Sequence, residues 1–376
     1  MRASRRPNAV VVGAGIGGLA AACALHRDGW TVTVLEKRLP IEPVGAGIAI
    51  APNGLRALDT IGVGDRIRQL AAIQGSAALR RPDGRILATT SADAFRARFG
   101  DPMVLATRAA VLDALLAPLP SDTLRAGTVV DVDPGAADRP AAVTTAEGDR
   151  FEADLVVGGD GIRSTVRRCV LPDQPAPRYA GFTTWRAISP MPSSPLTVGE
   201  TWGRGRIFGA MPLADERVYW YATANRPAGQ RLADLRAEVL AVFDGWHAPI
   251  PDLITSVSSD AILHLDVHWT ATPPPALHRG RVALLGDAVH AMTPNLGQGG
   301  NQALEDAVDL AAVLARHDAV VTTALPQYTA LRLPRTSAVV RKSRRMGAMG
   351  QWQSRPAVGL RDTVIRLSAR VSSDFA

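Results

Sequence analysis

The order of apolar and small residues at the start of the chain predicts two buried strands joined by a helix. Apolar residues fill positions 9–12 and again 31–35, and the segment between them is rich in glycine, alanine and leucine. Short apolar runs bounded by glycine are typical of buried parallel strands, and small residues let a connecting helix pack closely on them. The pattern therefore predicts a β-α-β unit.

Glycines at the first strand–helix junction have the spacing of a dinucleotide-binding fingerprint. Gly13 allows the tight turn, Gly15 lets a pyrophosphate approach the backbone, and Gly18 lets the helix pack on the strand. Glu36 follows the second strand, where it can accept hydrogen bonds from a ribose. Strand, helix and terminal acid together favour a bound dinucleotide over a glycine cluster that serves helix packing alone.

Two later junctions repeat this strand-to-helix pattern. GGDGIRSTVRR occupies 158–168, and LLGDAVHAMTPNLGQGGNQALEDA occupies 284–307. Glycines that lead into a helix leave backbone N–H groups open to a negatively charged group, which the helix dipole also favours. Elsewhere the pattern predicts a glycine-rich loop entering a helix at 44–63, a hairpin at 77–89, a helix opened by Thr107 and Arg108, and strands at 128–132, 143–145 and 151–157.

A change of composition near residue 179 predicts a second domain. Residues 179–270 are strand-like and hold five of the seven tryptophans, three prolines follow at 273–275, and a buried-strand pattern returns at 282–285. We therefore expect a discontinuous first domain over 1–178 and 273–330, whose hairpin leans on the second domain. The second domain, 179–272, is expected to be mostly antiparallel sheet, and 331–376 to form a helical tail.

Composition and charge exclude several classes of protein. The content of 47% hydrophobic and 20% charged residues is typical of a soluble globular protein, and Cys23 and Cys169 have no ligand-like spacing. The first apolar run is interrupted by glycines, unlike a signal peptide, so we expect a cytoplasmic protein. The net charge of +7 is concentrated in 331–376, which leaves a nearly neutral body and argues against nucleic acid as the main ligand.

Taken in order, GAGIGG with Glu36, GGDGIRSTVRR and GDAVHAMTPNLGQGGN resemble the single-component FAD-dependent aromatic hydroxylases. This is the group A flavoprotein monooxygenase family, which includes the hydroxybenzoate, salicylate and urate hydroxylases. The resemblance covers nearly the whole chain, including GAGIAIAPN at 45–53, the Arg108 helix and YAGFTTWRA at 179–187. It implies an α/β fold with a Rossmann-like FAD-binding domain, an inserted, mostly antiparallel β-sheet substrate domain and C-terminal helices.

The resemblance also implies which residues hold FAD. The adenosine half would lie on Gly13, Gly15, Gly17, Gly18 and Glu36, Arg108 would lie along the cofactor, Asp160 near the pyrophosphate, Asp287 at the ribitol, and Gly297, Gln298, Gly299, Gly300 and Asn301 beside the isoalloxazine. Lys37 and Gly47 complete the implied cofactor set. Amides of the 297–301 loop would face the N1–O2 edge of the flavin and stabilise negative charge there.

The reaction implied by the resemblance is hydroxylation, or epoxidation, of an electron-rich aromatic or heteroaromatic small molecule. NADH or NADPH would reduce FAD, O₂ would react with the reduced flavin, and a C4a-hydroperoxide would transfer one oxygen. Because the cofactor supplies this chemistry, no nucleophilic side chain is needed. We expect a monomer or homodimer without stable membrane association.

The candidate substrate residues have structural roles as the alternative, because aromatic side chains are more often core residues and arginines are more often solvated. Strand alternation in RVYWYAT at 217–223 puts Tyr219 and Tyr221 on one face of the inserted sheet. The catalytic candidates are Tyr219, Arg206 and Asn295, and the substrate-contact candidates are Thr184, Arg186, Tyr219 and Pro294. In the urate hydroxylases the position matching Asn295 carries an acid; an asparagine cannot act as a base, which argues against urate.

Other readings of the chain have specific weaknesses. A flavin-dependent halogenase needs an active-site lysine, and the two lysines here, Lys37 and Lys342, are poorly placed. A disulfide reductase needs a redox cysteine pair, which is absent, and His290 beside Asp287 lacks the further ligands of a metal site. A non-enzymatic flavin sensor remains the alternative from a different class.

The basic tail contains an amphipathic pattern at 360–371. Leu360, Val364, Leu367 and Val371 form one helical stripe, with Arg361, Arg366 and Arg370 largely outside it. Such a helix can lie on an anionic membrane. We expect instead that the stripe packs on the FAD-binding domain, because it is narrow and the tail has only one tryptophan.

Overall fold

The computed structural model describes residues 5–41, 47–70, 76–192, 198–230 and 233–373, so the first part of the predicted loop at 44–63 lies outside the described residues. The strands are β1 (Asn8–Val12), β2 (Thr31–Glu36), β3 (Gly47–Ile50), β4 (Ser76–Arg80), β5 (Ile86–Ser91), β6 (Val104–Thr107), β7 (Leu124–Ala126), β8 (Val129–Asp133), β9 (Ala141–Thr145), β10 (Arg150–Ala153), β11 (Leu155–Gly158), β12 (Arg178–Ser189), β13 (Gly199–Trp202), β14 (Arg206–Pro212), β15 (Val218–Asn225), β16 (Leu263–Trp269), β17 (His278–Arg279) and β18 (Val282–Leu284). The helices are α1 (Ile16–Arg27), α2 (Pro52–Thr60), α3 (Gly64–Arg68), α4 (Ala92–Phe99), α5 (Arg108–Leu116), α6 (Thr165–Val170), α7 (Leu235–Val242), α8 (Ile250–Thr255), α9 (Asp287–His290), α10 (Gly299–Arg316), α11 (Val321–Gly350) and α12 (Arg355–Ser373).

A six-stranded sheet with the order β17-β18-β11-β1-β2-β7 forms the first half of the fold. Its strands are parallel except for the β17–β18 pair. Strand β1, helix α1 and strand β2 confirm the predicted β-α-β unit. Because parallel strands end at the same edge of a sheet, the glycine-rich junctions after β1, β11 and β18 meet there.

A seven-stranded sheet with the order β16-β12-β15-β14-β13-β4-β5 forms the second half. All its pairs are antiparallel except β4 with β13, and the predicted hairpin supplies the last two strands. The single strand predicted at 151–157 is instead two strands. Strand β10 pairs with β9 and strand β11 with β1, because the chain crosses from one sheet to another at Asp154, whose amide donates to the Asn8 carbonyl oxygen.

The two faces of strand β15 belong to different environments. Val218 and Trp220 pack with Phe208 and with helices α7 and α8 in a core of their own. Tyr219 lies on the other face, where it packs with Leu105 and partly buried neighbours from β3 and β14. This alternation separates a closed, helix-covered face of the seven-stranded sheet from a face that looks toward the six-stranded sheet.

Long helices connect the two halves near the end of the chain. Helix α10 packs on α1, α2 and α11. Helix α11 crosses residue 331, where the sequence pattern placed the start of the tail, and its last residues reach the seven-stranded sheet, since the Gln351 amide donates to the Thr223 hydroxyl over 2.7 Å. None of the helices in the described ranges has the length and apolarity needed to cross a membrane.

The expected packing of the tail stripe is wrong. Leu360, Val364 and Leu367 are 62%, 51% and 56% exposed, whereas Arg361 is 2% exposed. Helix α12 therefore presents its apolar stripe to solvent and packs through the opposite side, next to strand β5. The side chains of Arg370 and Val371, which the expectation also included, lie outside the described residues.

Arg361 explains why the polar side of α12 is buried. Its guanidinium donates to the carbonyl oxygen of Gly203 over 3.2 Å, pairs with Asp362 over 2.9 Å, and lies over the ring of Trp202. Arginine presents five donors on a long apolar stem, so it can fill a buried position when its donors are satisfied. A rule that buries only apolar residues misses such a helix.

We expect Arg361→Ala to lower the free energy of unfolding by about 3 kcal/mol, because it leaves the Asp362 carboxylate buried without its main partner. Leu360→Ala and Leu367→Ala should each change it by less than about 0.5 kcal/mol, since both side chains are exposed. Urea unfolding of the three variants measures the difference. A larger loss in the leucine variants than in the arginine variant would mean that the stripe is packed after all.

Candidate functional site

The turn after β1 is shaped by backbone contacts that leave no room for side chains. Gly13 has a φ of +99°, and a Cβ there would come within 2.7 Å of the Gly159 carbonyl oxygen. A Cβ on Gly18 would collide with the carbonyl oxygen of Gly13. These two glycines therefore let helix α1 and the junction after β11 approach the turn closely.

Gly15 differs from its neighbours because the protein leaves it space. A Cβ there would meet only the Arg108 guanidinium, at an ordinary 3.6 Å. Gly15 is the N-cap of α1, where unsatisfied backbone N–H groups make a favourable site for phosphate. Gly17 is again a packing residue, since a Cβ would lie 2.7 Å from the Leu285 side chain.

Glu36 is fixed at the carboxyl end of β2. One carboxylate oxygen accepts from the Ala14 amide over 2.9 Å, and the other accepts from the Arg38 amide over 3.1 Å. The carboxylate thereby lies directly beside the glycine turn, the position at which the family resemblance predicts the ribose. Lys37, the next residue, is exposed.

Asp160 lies against the same turn. Its Oδ2 accepts from the amides of Thr165 and Val166 over 2.7 and 3.1 Å, which caps α6. Its Oδ1 is buried and has no hydrogen-bond partner in the described part of the chain. A Cβ on Gly13 would be 2.9 Å from the Asp160 Cα. A buried acceptor without a protein partner beside this turn is consistent with a bound group that donates a hydrogen bond.

Asp287 follows the third junction and opens into the cleft between the two sheets. Its side chain is accessible from the open cleft. The protein atoms packed around the carboxylate nevertheless reduce its hydration and raise the pKa of Asp287, while His290, Arg108 and Arg186 act in the opposite direction. The cleft therefore brings one acid together with arginines from both halves of the fold.

The loop that leads into α10 is held in place by Asn301. Its side chain accepts from the Ala51 amide over 2.9 Å and donates to the carbonyl oxygens of Ala49 and Gly297 over 3.1 and 2.8 Å. The loop is thus bound to strand β3 at Ala49 and to Ala51, which follows the strand. Gln298 extends the contact, since the Asn53 amide donates to it over 3.0 Å.

The start of α10 leaves open space on its cleft side. A Cβ on Gly299 would come no closer than 3.9 Å to Asp287 or Met292, whereas one on Gly300 would touch Ile48 at 2.9 Å. Gly297 adopts a φ of +60°. A side chain at position 299 would therefore extend into the cleft without colliding with the protein.

A buried network fixes the third junction. Asp306 accepts from the Gly286 amide over 2.9 Å, pairs with His290 over 2.5 Å and pairs with Arg332 over 2.7 Å. Burial alone would raise the pKa of Asp306, but the histidine, the arginine and the amide together lower it to about 2. His290 is thus an ion-pair partner, and no metal-binding group of three or more histidine, cysteine or acidic side chains exists within the described ranges.

The seven-stranded sheet supplies the opposite wall of the cleft. Tyr219 is buried, and a Cβ on Gly47 would be 2.5 Å from its ring, so strand β3 closes one end of this wall. Thr184 and Arg186 lie on the same face, because they pair with Thr223 and Tyr221 across the β12–β15 ladder. The structure therefore places the candidates Thr184, Arg186 and Tyr219 on one face of the sheet.

One of the other predicted residues, Arg206, lies outside the cleft. Arg206 is on the helix-covered face, where its guanidinium donates to the carbonyl oxygen of Val242, so the structure does not bring it to the cleft. Arg206 pairs with Ala224, whose side chain lies on the opposite face of β15 from Tyr221, and directly paired residues share a face. Asn295 packs against Gly347 of α11, and Pro294 is exposed.

Sequence reasoning missed a second polar group in this wall. Glu200 accepts from the Trp202 indole N–H over 2.6 Å and from the Tyr221 hydroxyl. It also missed the ion pair of Asp306 with Arg332, because twenty-six residues separate its members. A lone acid within the apolar VGETW stretch was the available signal for Glu200, but a pattern cannot say which strand lies beside it.

Comparison with known proteins identifies the family. The family model described as "FAD binding domain" matches residues 6–343. The chain belongs to this family. It is 39% identical to the aurachin C monooxygenase/isomerase of Stigmatella aurantiaca, covering 97% of this chain and 94% of that protein. It is 34% identical to the 2-heptyl-3-hydroxy-4(1H)-quinolone synthase of Pseudomonas aeruginosa, covering 96% and 94%.

A solved structure agrees with the fold. The Klebsiella pneumoniae protein HpxO, determined with FAD and uric acid, matches with a TM-score of 0.89 and 30% identity over 96% of this chain and 92% of that one. The predicted fold class and the resemblance to FAD-dependent aromatic hydroxylases are confirmed.

The cleft of this FAD-family protein has features that suit the cofactor. The unpartnered Asp160 Oδ1 lies beside the turn, Asp287 opens into the cleft, and Gly15 and Gly299 leave space on their cleft sides. Acids suit ribose and ribitol hydroxyls, and helix N-termini suit phosphates and an anionic ring edge. The donor set therefore fits FAD.

Gly15→Ala and Gly18→Ala should have different effects. The first places a methyl group where the family resemblance predicts the pyrophosphate, so FAD affinity should fall about tenfold while the apoprotein unfolds at the wild-type temperature. The second forces helix α1 away from Gly13, so the apoprotein should lose about 2 kcal/mol of stability. Thermal unfolding without FAD and FAD titration separate the two. A destabilised Gly15→Ala apoprotein would contradict the assignment.

The Asp306 network predicts a defined pH window. The pKa of Asp306 is lowered from 3.8 to about 2, so its contribution to the free energy of unfolding is lost as pH falls from 3.8 to about 2. Burial lowers the pKa of His290, but Asp306 and Asp287 raise it on balance above 6.5, so its contribution is lost as pH rises through that raised pKa.

Asp306→Asn should therefore cost at least about 2 kcal/mol near pH 5.5 and less at pH 3, as measured by urea unfolding. The exposed Asp138→Asn is the matched control and should leave the pH profile unchanged. An Asp306→Asn variant that loses equal stability at both pH values would show that the ion pairs do not carry the effect.

Proposed function

We propose that the protein is an NAD(P)H-dependent FAD monooxygenase that hydroxylates, or epoxidises, an electron-rich aromatic or heteroaromatic small molecule with O₂. The observation that carries the proposal is the cleft itself. The N-terminus of α10 and Asp287 form one wall, and Thr184, Arg186 and Tyr219 form the other. A flat ring system held by the first wall would face a substrate held by the second.

The residues of the first wall have separable tasks in this proposal. Glu36 would hold the adenosine ribose, and Asp160 would lie near the pyrophosphate. Asp287 would accept hydrogen bonds from the ribitol. Bound FAD would supply the electron transfer and oxygen activation. Domain boundaries close to 179 and 272 are part of the same proposal, since they separate the two walls.

The start of α10 is suited to an anionic ring edge. Its first turn carries no acidic side chain, so the backbone N–H groups at Gly299 and Gly300 present an uncompensated positive potential. A reduced flavin carries negative charge at its N1–O2 edge, and fixed dipoles stabilise such charge without reorganising. The Asn301 bonds to β3 hold these amides in position.

The relatives indicate the kind of substrate. Their printed names include a 4(1H)-quinolone and uric acid, both of which are nitrogen heterocycles with ring N–H and carbonyl groups. Arg186 has no hydrogen-bond or ion-pair partner among the described residues, so its guanidinium is available to an oxygen atom of such a ring. We infer a heteroaromatic substrate with at least one polarised oxygen.

The test is aromatic-stimulated NAD(P)H oxidation by the purified protein. We expect a yellow protein with one FAD per chain whose NADH or NADPH oxidation rises when a quinolone or phenol is added. A protein that binds FAD but shows no stimulation with any compound of a broad heteroaromatic and phenolic panel would favour the flavin-sensor alternative. A colourless protein that ignores added FAD would contradict the family assignment of the cleft.

Gly299→Val should separate NAD(P)H consumption from oxygen transfer. The valine side chain would fill the cleft beside the isoalloxazine, because the protein itself leaves this position open. NAD(P)H oxidation should persist in part while hydrogen peroxide replaces hydroxylated product, since displaced ligands admit water. Gly359→Val, in an open helix position, is the matched control. Equal product-to-peroxide ratios in both variants would mean that the loop does not contact the flavin.

A further inference from the structure

We propose that Tyr221, oriented by Glu200, determines specificity by accepting a hydrogen bond from an N–H or O–H group of the aromatic substrate. This inference rests on the proposed function, because it assumes that the substrate lies against the seven-stranded sheet. Tyr221 would be the residue in contact with substrate, and Glu200 a positioning residue that acts through it. Arg186, on the neighbouring strand, would meet an oxygen of the same ring.

The three polar residues lie in one row across the sheet. Glu200 on β13 pairs with Gly209 on β14, Gly209 pairs with Tyr221 on β15, and Tyr221 pairs with Arg186 on β12. Side chains of directly paired residues point to the same face of a sheet. The row therefore presents an acid, a phenol and a guanidinium to the cleft side of the sheet.

Gly209 is what allows the tyrosine to reach the acid. A Cβ on this residue would collide with the Tyr221 ring and would lie 2.7 Å from the Tyr221 hydroxyl oxygen. The phenol thus lies flat over the glycine and spans a whole strand to reach Glu200. With any larger residue at this position, the Tyr221 ring would have to move away from this strand.

The direction of the hydrogen bonds follows from the donor inventory. The Trp202 indole N–H can only donate, and it donates to Glu200 Oε2 over 2.6 Å. The other oxygen, Oε1, accepts from the Tyr221 hydroxyl. Because its proton is committed to the carboxylate, the Tyr221 oxygen has only lone pairs to offer to the cleft.

Burial raises the pKa of Glu200, while the hydrogen bonds from Tyr221 and Trp202 stabilise its ionised form and act in the opposite direction. A hydroxyl that donates to a carboxylate gains electron density on its oxygen and becomes a better acceptor. Burial, Glu200 and Tyr219 raise the pKa of Tyr221 well above 10, outweighing the opposing effect of Arg186, so the phenol keeps its proton at neutral pH. The residue is therefore an acceptor of hydrogen bonds and not a base.

Arg186 adds a hydrogen-bond donor next to the acceptor that Tyr221 provides. Its guanidinium can only donate, and it has no hydrogen-bond or ion-pair partner in the described part of the chain. A substrate that satisfies both residues carries a carbonyl or oxyanion for Arg186 and an N–H or O–H for Tyr221. Pyridone-like rings and 4(1H)-quinolones have this pair of groups, whereas a simple hydrocarbon ring has neither.

The experiment compares 4(1H)-quinolone with 1-methyl-4-quinolone, which keeps the carbonyl and lacks the N–H. Binding to the FAD-loaded protein is measured from the change in flavin absorbance, without turnover. The wild type should bind the N–H compound about tenfold more tightly, the contribution of one hydrogen bond to a charge-assisted acceptor. Tyr221→Phe should reduce this ratio to about one.

Glu200→Gln gives the sharper outcome. Trp202 can only donate, so the glutamine must turn its carbonyl oxygen to the indole and its NH₂ group to Tyr221. Tyr221 would then accept from the glutamine and offer its own proton to the cleft. The preference for the N–H compound should disappear or reverse, which loss of packing alone would not produce. Gly209→Ala, which displaces the ring while both partners remain, should also remove the preference.

Tyr179→Phe is the matched control, because Tyr179 lies near the start of β12 and donates to the Arg226 carbonyl oxygen. It should keep the wild-type ratio. Equal binding of the two quinolones by the wild type, or an unchanged ratio in Tyr221→Phe and Glu200→Gln, would overturn the inference, and so would failure of the wild type to bind either compound. Flavin reduction by NAD(P)H is measured separately, so the proposed function can fail or stand on its own.

Discussion

The buried carboxylate of Asp306 is the group on which the geometry of the cleft depends. It binds the Gly286 amide, His290 and Arg332 at once, and so ties the turn after β18, helix α10 and helix α11 together. Burying three ionisable groups is costly unless each is paired, and here each one is. The consequence is positional, because the N-terminus of α10 and the acid at the start of α9 have fixed places before any ligand binds.

The sheet wall of the cleft, which carries Tyr219, is coupled to the α10 wall through strand β3, which lies in close contact with both. Gly47 lies against the ring of Tyr219, and Asn301 binds the strand that carries Gly47, so a shift of the loop at 297–301 would also displace the sheet. At the other end, Gln351 ties helix α11 to Thr223. The cleft is therefore bounded by contacts between its walls. A substrate ring entering it meets surfaces that are already in register.

Local patterns predicted much of the fold, and contacts between distant segments account for what they missed. The β-α-β unit, the three glycine junctions and the alternation of Tyr219 with Trp220 are encoded within a few residues, so they could be read directly. Arg206 was misplaced because its face depends on which strand pairs with it. The predicted packing of the tail helix was wrong for a similar reason. A sequence pattern cannot show that the Arg361 guanidinium donates to the carbonyl oxygens of Gly203 and Gly350.

Glycine marks two different constraints in this chain, and they differ in which neighbouring atoms could move to admit a side chain. Gly18 is constrained by backbone, which cannot move without separating helix from strand. Gly209 is constrained by a side chain, and so its size, the reach of Tyr221 and the charge of Glu200 form one unit. Changing any one of them changes what the other two can do. In the proposed contact with substrate, a single substitution in the row would therefore report on all three residues.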